Sequence, residues 1–148
     1  MKASENVKTM IKGFEGLVLK AMRCPAGVWT IGYGHTSGVR PGDMITREAA
    51  NAQFEADIEL FERRLQPLLA GVSLNQNQYD ALVSFSFNVG SGALGRSTLL
   101  RLVKANPSDP AIRGEFMKWV KGGGKTLPGL VKRRQREADL YFTPCNAA

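Results

Sequence analysis

The sequence of 148 residues has only two cysteines, one histidine and no long apolar run. Two cysteines cannot form the disulfide framework of a small secreted scaffold, so the fold must rest on a hydrophobic core. No apolar run approaches the roughly 20 residues of a membrane span, and the N-terminus lacks the apolar segment of a secretory signal. The single histidine has no cysteine or histidine at metal-binding spacing. We therefore expect a soluble protein of one domain, without a metal.

Positive charge is concentrated in the last third of the chain. The net charge is +7, whereas residues 96–136 alone carry eleven Lys or Arg and two acids, a net of +9. This asymmetry predicts a partner with repeated negative charge: nucleic acid, an anionic membrane face or an acidic cell-wall polymer. A well-solvated basic surface is the alternative. Residues 122–136 contain no aromatic side chain that could stack on bases, which argues against nucleic acid.

Local patterns in the first half predict a helix, a small sheet and a long helix. Ser4 is suited to cap a helix that ends near Glu15. Glycines interleave with β-branched and aromatic residues from 17 to 44, which favours short strands joined by tight turns. Thr46 then begins a long amphipathic helix that Pro67 and Gly71 bring to a close.

The second half is predicted to be helical. We expect helices over 75–88, 99–103, 109–119 and 129–142, with glycines at 90–95 ending the first and glycines at 122–124 forming a flexible turn. The fold class is therefore α+β. A small N-terminal sheet lobe (about 15–45) is joined by a connecting helix (about 46–70) to a helical lobe (about 71–148), all in one domain.

Glu15 is the first candidate for chemistry. It stands at the predicted end of a helix, next to a sheet rich in apolar residues. If its carboxylate lay against Phe14, Trp29 and Tyr33, partial desolvation would favour the protonated form, which suits a general acid. An exposed glutamate at a helix end is the alternative.

Glu15, Cys24 and Thr30 are separated by eight and five residues. In this spacing the sequence resembles the bacteriophage-type lysozymes, or endolysins (glycoside hydrolase family 24), which carry a Glu, an Asp or Cys, and a Thr at these intervals. The similarity continues through residues 77–90 and 119–137, so it covers nearly the whole chain in order.

The resemblance implies a lysozyme-like fold and a muramidase that needs no cofactor. Such an enzyme hydrolyses the β-1,4 bond between N-acetylmuramic acid and N-acetylglucosamine in peptidoglycan and lyses the bacterial host at the end of phage infection. The resemblance makes Glu15 the acid on the leaving oxygen and Cys24 the second catalytic group. An inverting mechanism also requires a water on the opposite face of the sugar, which the Thr30 hydroxyl could hold. A β-branched strand residue is the alternative for Thr30.

Cys24 stands where the family more often has Asp, and several roles remain open. A nearby cation such as Arg23 could lower the pKa of the thiol, so that a thiolate stabilises positive charge or acts as a nucleophile. A neutral thiol would position water only weakly. Cys24 could also form a disulfide with Cys145 or be a buried apolar side chain.

The resemblance also implies substrate contacts and one structural pair. Thr36, Phe87 and Thr98 match positions that line the cleft between the two lobes, although core packing is an equally good interpretation of Phe87. His35 matches a histidine that pairs with an acid on the long helix, here Asp57.

Further expectations concern partners and location. The chain is expected to be a monomer and to bind peptidoglycan but no nucleic acid. Because no signal is visible, it would accumulate in the host cytoplasm and depend on a pore protein, a holin, for release to the periplasm and cell wall. The basic C-terminal helix at 129–142 is predicted to contact the anionic envelope, and membrane disturbance by this helix is an alternative function.

Overall fold

The computed structural model describes residues 1–24 and 26–145, and all structural statements concern these residues. Their elements in chain order are α1 (Glu5–Glu15), β1 (Val18–Arg23), β2 (Trp29–Gly32), α2 (Arg47–Leu68), α3 (Gln76–Val89), α4 (Ser91–Gly95), α5 (Thr98–Ala105), α6 (Ile112–Phe116), β3 (Lys121–Gly122), β4 (Lys125–Thr126) and α7 (Pro128–Tyr141). The α+β class is thereby confirmed, with helices predominating.

α1 has the ends that the sequence predicts. The Ser4 hydroxyl accepts the Val7 N–H at 3.2 Å and caps the first turn. After Glu15 the chain leaves the helix at Gly16, whose φ of +69° favours glycine. Val7, Met10 and Ile11 are buried on the core side.

A small antiparallel sheet follows α1, as predicted. β1 pairs with β2 in a register that places Val18 opposite Gly32 and Arg23 opposite Trp29. The segment around Met44 adds a short third edge through a bridge to Lys20. This sheet rests on the N-terminal end of α2, where Gly32 approaches Ala50.

α2 is the long connecting helix. The Thr46 hydroxyl accepts the Ala49 N–H at 3.1 Å, which confirms the predicted start. The helix runs through Pro67 to Leu68 because a proline in the last turn removes only its own N–H donor. At 22 residues, α2 is about 33 Å long.

The later helices follow the prediction except in two places. The glycine-rich stretch at 90–95, predicted only to end α3, forms the short helix α4. The helix predicted over 109–119 is wrong at both ends, because α6 covers only Ile112–Phe116. Asp109 caps a turn by accepting the Ala111 N–H at 2.9 Å. The Trp119 carbonyl, which lies beyond the end of α6, accepts a hydrogen bond from the Arg134 Nε at 2.8 Å.

One cluster of buried side chains joins α1, α2, α3, α5, α6 and α7. α3 is its central element, since every residue from Tyr79 to Ser86 is buried. The Phe85 ring meets the rings of Phe116 and Trp119 edge-on, each with a centroid distance of 5.5 Å. Among the described residues, no helix combines the length and the apolar character needed to cross a membrane.

Candidate active site

Glu15 occupies the junction between α1 and the sheet. Its side chain is 15% exposed and its carboxylate lies directly over the backbone of Gly34, just beyond β2. A Cβ on Gly34 would approach the Glu15 Oε2 to 2.7 Å, and Gly34 has a φ of +76°. Only glycine fits this position, because both the space and the backbone conformation exclude a side chain.

The Glu15 carboxylate is held from the other side by Arg133 of α7. The Arg133 Nη1 lies 3.2 Å from the Glu15 Oε1, although the two residues are 118 positions apart in the chain. Arg133 is itself fixed, because its Nη2 donates to the Ser84 carbonyl at 3.0 Å and its Nε donates to the Glu137 Oε2 at 3.2 Å. The acid candidate is thus a partly exposed carboxylate in an ion pair whose cation is buried.

A second buried arginine extends this network. The Arg134 guanidinium bonds Glu137 and Asn88 and lies over the Phe85 ring, 4.9 Å from its centroid. Burial lowers the pKa of Arg134, an effect that the charge of Glu137 opposes. Together with Glu137, the two arginines therefore form one buried polar network. This network fixes Arg133, the residue that pairs with Glu15.

The sequence analysis did not predict that Arg133 pairs with Glu15. It placed Glu15 in an apolar setting, whereas Trp29 lies opposite Arg23 near the far end of the hairpin and Tyr33 packs edge-on against Phe54 at 5.7 Å. The available signal was the spacing of Arg133, Arg134 and Glu137, since residues three and four apart share a helix face. The sequence prediction instead assigned these arginines to an exposed basic helix.

Cys24 and Thr30 lie together near the turn of the β1–β2 hairpin. Burial raises the pKa of the Cys24 thiol, but the backbone N–H groups of Val28 and Ala26 and the Thr30 hydroxyl outweigh burial, so the net pKa is lowered. The predicted cation has another partner, because the Arg23 Nε donates to the Gly27 carbonyl at 3.3 Å. Hydrogen bonds to sulfur therefore account for a thiol that ionises more readily than usual.

Cys145 makes its contacts in a different part of the molecule from Cys24 and Thr30. Both cysteines are free, and the Cys145 Sγ accepts the Asn77 N–H at 3.4 Å, at the start of α3. The structure thus contradicts the disulfide between Cys24 and Cys145.

β2 connects the two parts of the candidate site. Thr30 lies on β2, while Gly34, which touches Glu15, follows the end of the same strand. Four residues of extended chain span at most about 14 Å. Thr30 therefore lies within about 14 Å of Gly34, on whose backbone the Glu15 carboxylate rests.

The three predicted cleft residues have different surroundings. Thr36 is exposed in the turn after β2. Phe87 is half-buried, and its ring lies 5.7 Å from that of Phe54 and 5.3 Å from that of Phe61. Thr98 starts α5 and lines a groove of about 310 Å³ that contains none of the other predicted site residues. The described structure places these three residues in no common contact.

His35 makes the predicted structural pair. Its Nδ1 lies 2.8 Å from the Asp57 Oδ2, and its Nε2 lies 3.0 Å from the Ser37 carbonyl. The His35–Asp57 pair, which links the sheet to α2, is confirmed. In the described part of the chain, no cluster of His, Cys, Asp and Glu side chains could hold a metal ion.

A larger cavity lies elsewhere. It has a volume of about 560 Å³ and is lined by the N-terminus, the last turns of α2 and Tyr79. None of the predicted site residues borders it, so its size does not identify the active site.

Comparisons with known proteins identify a family that matches most of the chain. The family model described as phage lysozyme matches residues 12–137. The endolysin of Acyrthosiphon pisum secondary endosymbiont phage 1 is 47% identical over 146 residues, covering 95% of this chain and 98% of that protein.

Two solved structures are similar over nearly the full length. The muramidase domain of SpmX from Asticaccaulis excentricus is 37% identical, with a TM-score of 0.83, covering 97% of this chain and 99% of that one. The endolysin from Escherichia coli O157:H7 phage FAHEc1 is 36% identical, with a TM-score of 0.82, covering 96% and 94%.

Proposed function

This chain belongs to the phage lysozyme family, and on that premise we propose that it works as an endolysin. It is a glycoside hydrolase that acts on peptidoglycan and lyses the bacterial host. The bond cleaved is the β-1,4 linkage between N-acetylmuramic acid and N-acetylglucosamine. The observation that carries the proposal is the fixed carboxylate of Glu15, beside Gly34 and Arg133, in a chain that covers 98% of the endolysin of Acyrthosiphon pisum secondary endosymbiont phage 1.

The proposed mechanism begins with Glu15. Cleavage of a glycosidic bond passes through an oxocarbenium-like state and needs an acid on the leaving oxygen. Glu15, in its protonated form, supplies that proton. Arg133 acts as a positioning residue, because its buried guanidinium fixes one carboxylate oxygen and leaves the partly exposed carboxyl group aimed at the substrate.

Cys24 and Thr30 supply the second part of the mechanism. The Thr30 hydroxyl, which lies close to the Cys24 sulfur, holds the attacking water. The Cys24 thiolate stabilises the positive sugar ring, because its lowered pKa increases the charged fraction. Thr36, Phe87 and Thr98 are retained as proposed substrate contacts.

The first test is Glu15→Gln. This change keeps the size of the side chain but removes the proton donor, so we expect lysis to fall by about 100-fold or more. Turbidity of permeabilised Gram-negative cells measures lysis, and thermal unfolding checks that the variant is folded. Glu5→Gln, at an 89% exposed position of the same helix, is the matched control. Lysis that survives Glu15→Gln would favour membrane disturbance instead.

The second test compares Cys24→Ser with Cys24→Asp. We expect Ser to lose most activity and Asp to retain it, because only Asp restores an anion. Wild-type activity should fall as the pH drops through the lowered pKa of Cys24, whereas the Asp variant should persist to lower pH because a carboxyl group ionises near 3.9. Full activity of Cys24→Ser would exclude a catalytic cysteine.

Partners and location complete the proposal. Residues 1–148 act as one monomeric domain that resides in the host cytoplasm and reaches the cell wall after a holin opens the inner membrane. The relatives named endolysin support the lytic role on which this proposal rests. Expression with and without a pore protein, followed by culture turbidity, tests the dependence: lysis on the same schedule without the pore protein would contradict it.

The predicted envelope contact of the C-terminal helix has less support. Arg133 and Arg134, which contribute two of the charges on α7, are buried in ion pairs. Arg136 is exposed but lies over the Phe14 ring, 5.1 Å from its centroid. α7 therefore presents less positive charge to a partner than its sequence implies.

A further inference from the structure

A groove between α4 and α5 is lined by three exposed, positively charged side chains. Arg96, Arg101 and Lys104 line this space of about 310 Å³, which we name the α4–α5 groove. From Ala81 to Ser108 the sequence contains no Asp or Glu. Within residues 1–24 and 26–145, the ion pairs involve none of these three side chains. The groove therefore carries uncompensated positive charge.

Local structure directs these cations to one place. α5 buries Leu99, Leu100 and Val103, so its opposite face presents Arg101 and Lys104, which are three residues apart. Arg96 comes from the end of α4 and folds back over it: its Nη1 lies 3.4 Å from the position that a Cβ on Gly92 would occupy. The Arg96 guanidinium therefore lies close to α4, at the edge of the groove.

Four other cations in the basic third of the chain are paired or buried, whereas Lys121, Lys125 and Lys132 are exposed like the groove residues. Arg113 pairs with Asp139 and Lys118 pairs with Glu115, while Arg133 and Arg134 are buried. The α4–α5 groove is thus a stronger candidate for an anion than the C-terminal helix.

The groove lies away from the sheet. Gly95 approaches Leu68 at the end of α2, whereas Gly32 approaches Ala50 near its start. The 18 residues between Ala50 and Leu68 correspond to about 27 Å along the helix axis. A partner in the groove can therefore bind while the hairpin and Glu15 remain accessible.

We propose that the α4–α5 groove binds phosphate groups of an anionic phospholipid surface. Two of its three cations are arginines, whose planar guanidinium groups match phosphate oxygens in pairs. A lipid surface also presents many phosphates at once and meets the groove without reaching Glu15, although Thr98, a proposed substrate contact, lines the groove as well. This contact keeps the protein at the membrane face next to the cell wall, and it does not depend on muramidase activity.

The test is sedimentation of the full chain with lipid vesicles at about 0.1 M salt. Vesicles containing phosphatidylglycerol are compared with vesicles of phosphatidylcholine alone, and we expect binding only to the former. The triple variant Arg96→Gln, Arg101→Gln, Lys104→Gln should bind about 100-fold more weakly, since each cation near an anionic surface contributes about five-fold.

A matched triple variant controls for net charge. Lys121, Lys125 and Lys132 are exposed, and changing all three to Gln removes the same charge from the β3–β4 hairpin and α7. At 0.1 M salt, charges more than about 10 Å apart are screened, so this control should retain binding within about three-fold. Both triple variants should hydrolyse peptidoglycan fragments at the wild-type rate and unfold at the wild-type temperature.

Several results would overturn the proposal. If the two triple variants lose vesicle binding equally, binding depends on net charge and not on the groove. Equal binding to both vesicle types would remove the requirement for a net negative lipid surface, because phosphatidylcholine also carries a phosphate but no net charge. Saturable binding of inorganic phosphate without vesicle binding would replace the lipid by the free anion. If the groove variant loses retention on purified, lipid-free cell-wall sacculi but not on vesicles, the groove binds a wall polymer instead.

Discussion

At the residue scale, the candidate acid depends on a glycine. Gly34 provides the space that the Glu15 carboxylate occupies, and Arg133 holds the carboxylate in that space. A misplacement of about 1 Å in a catalytic group can cost about 100-fold in rate. The position of Glu15 is therefore as much a property of Gly34 and Arg133 as of Glu15 itself.

Gly34→Ala should lower activity by about 100-fold, because the new Cβ would displace the Glu15 Oε2. It should also lower the free energy of unfolding by about 1–2 kcal/mol, since alanine disfavours a positive φ. Lysis rates and urea unfolding measure the two effects.

Gly38→Ala is the control that separates backbone strain from displacement of the Glu15 carboxylate. Gly38 has a φ of +70°, close to that of Gly34, but nothing lies within 4 Å of the position of its Cβ. This control should share the loss of stability and keep most activity. Equal activity in the two variants would show that Gly34 does not determine the position of the carboxylate.

At the element scale, α7 combines a buried polar face with an exposed one. Glu137 is fully buried and bonds both Arg133 and Arg134, and the Ser84 hydroxyl donates to it at 2.6 Å. Asp139, two residues later on the same helix, is 69% exposed and pairs with Arg113. The two carboxylates form ion pairs in very different surroundings.

Glu137→Gln should destabilise the protein by about 3–5 kcal/mol, because it leaves buried arginines without their counter-charge. Asp139→Asn removes an exposed ion pair and should cost about 1 kcal/mol or less. Urea unfolding of the two variants measures the difference. A similar loss in both would mean that the buried network contributes no more than a surface pair.

At the scale of the whole molecule, the sheet is attached to the helices at a few points. His35 bonds Asp57 of α2, Gly32 packs on Ala50, and Gly34 meets Glu15. The helices share one buried cluster to which the sheet contributes little. Local opening of the sheet should therefore need less free energy than global unfolding.

Asp57→Ala should weaken this attachment by about 1–3 kcal/mol through loss of the hydrogen bond to His35. Hydrogen exchange of amides in β1 and β2 should accelerate at least about ten-fold, while amides of α3 remain protected. Glu55→Ala, which removes the partly exposed pair with Lys8 on the same helix, is the control and should leave sheet exchange unchanged. Equal acceleration in α3 would show that the sheet does not open separately.

Local signals predicted most of the fold. Ser4, Thr46 and Asn75 each accept a backbone N–H three residues later and begin their helices. Such caps involve interactions within one turn, so the sequence contains all the required information. The helix predicted from Asp109 to Trp119 was wrong at both ends. The Trp119 carbonyl instead bonds Arg134 of α7, and no local pattern reveals that contact.

The sequence by itself determined the family motif of Glu15, Cys24 and Thr30, the helix starts and the excess of positive charge. Only the tertiary structure decided which charges face solvent. Arg133 meets Glu15 across 118 residues and becomes a buried partner of the acid, whereas Arg96, Arg101 and Lys104 remain exposed and unpaired within the described residues. The physical reason is that burial and ion pairing depend on packing between distant elements, while charge and periodicity are properties of the chain alone.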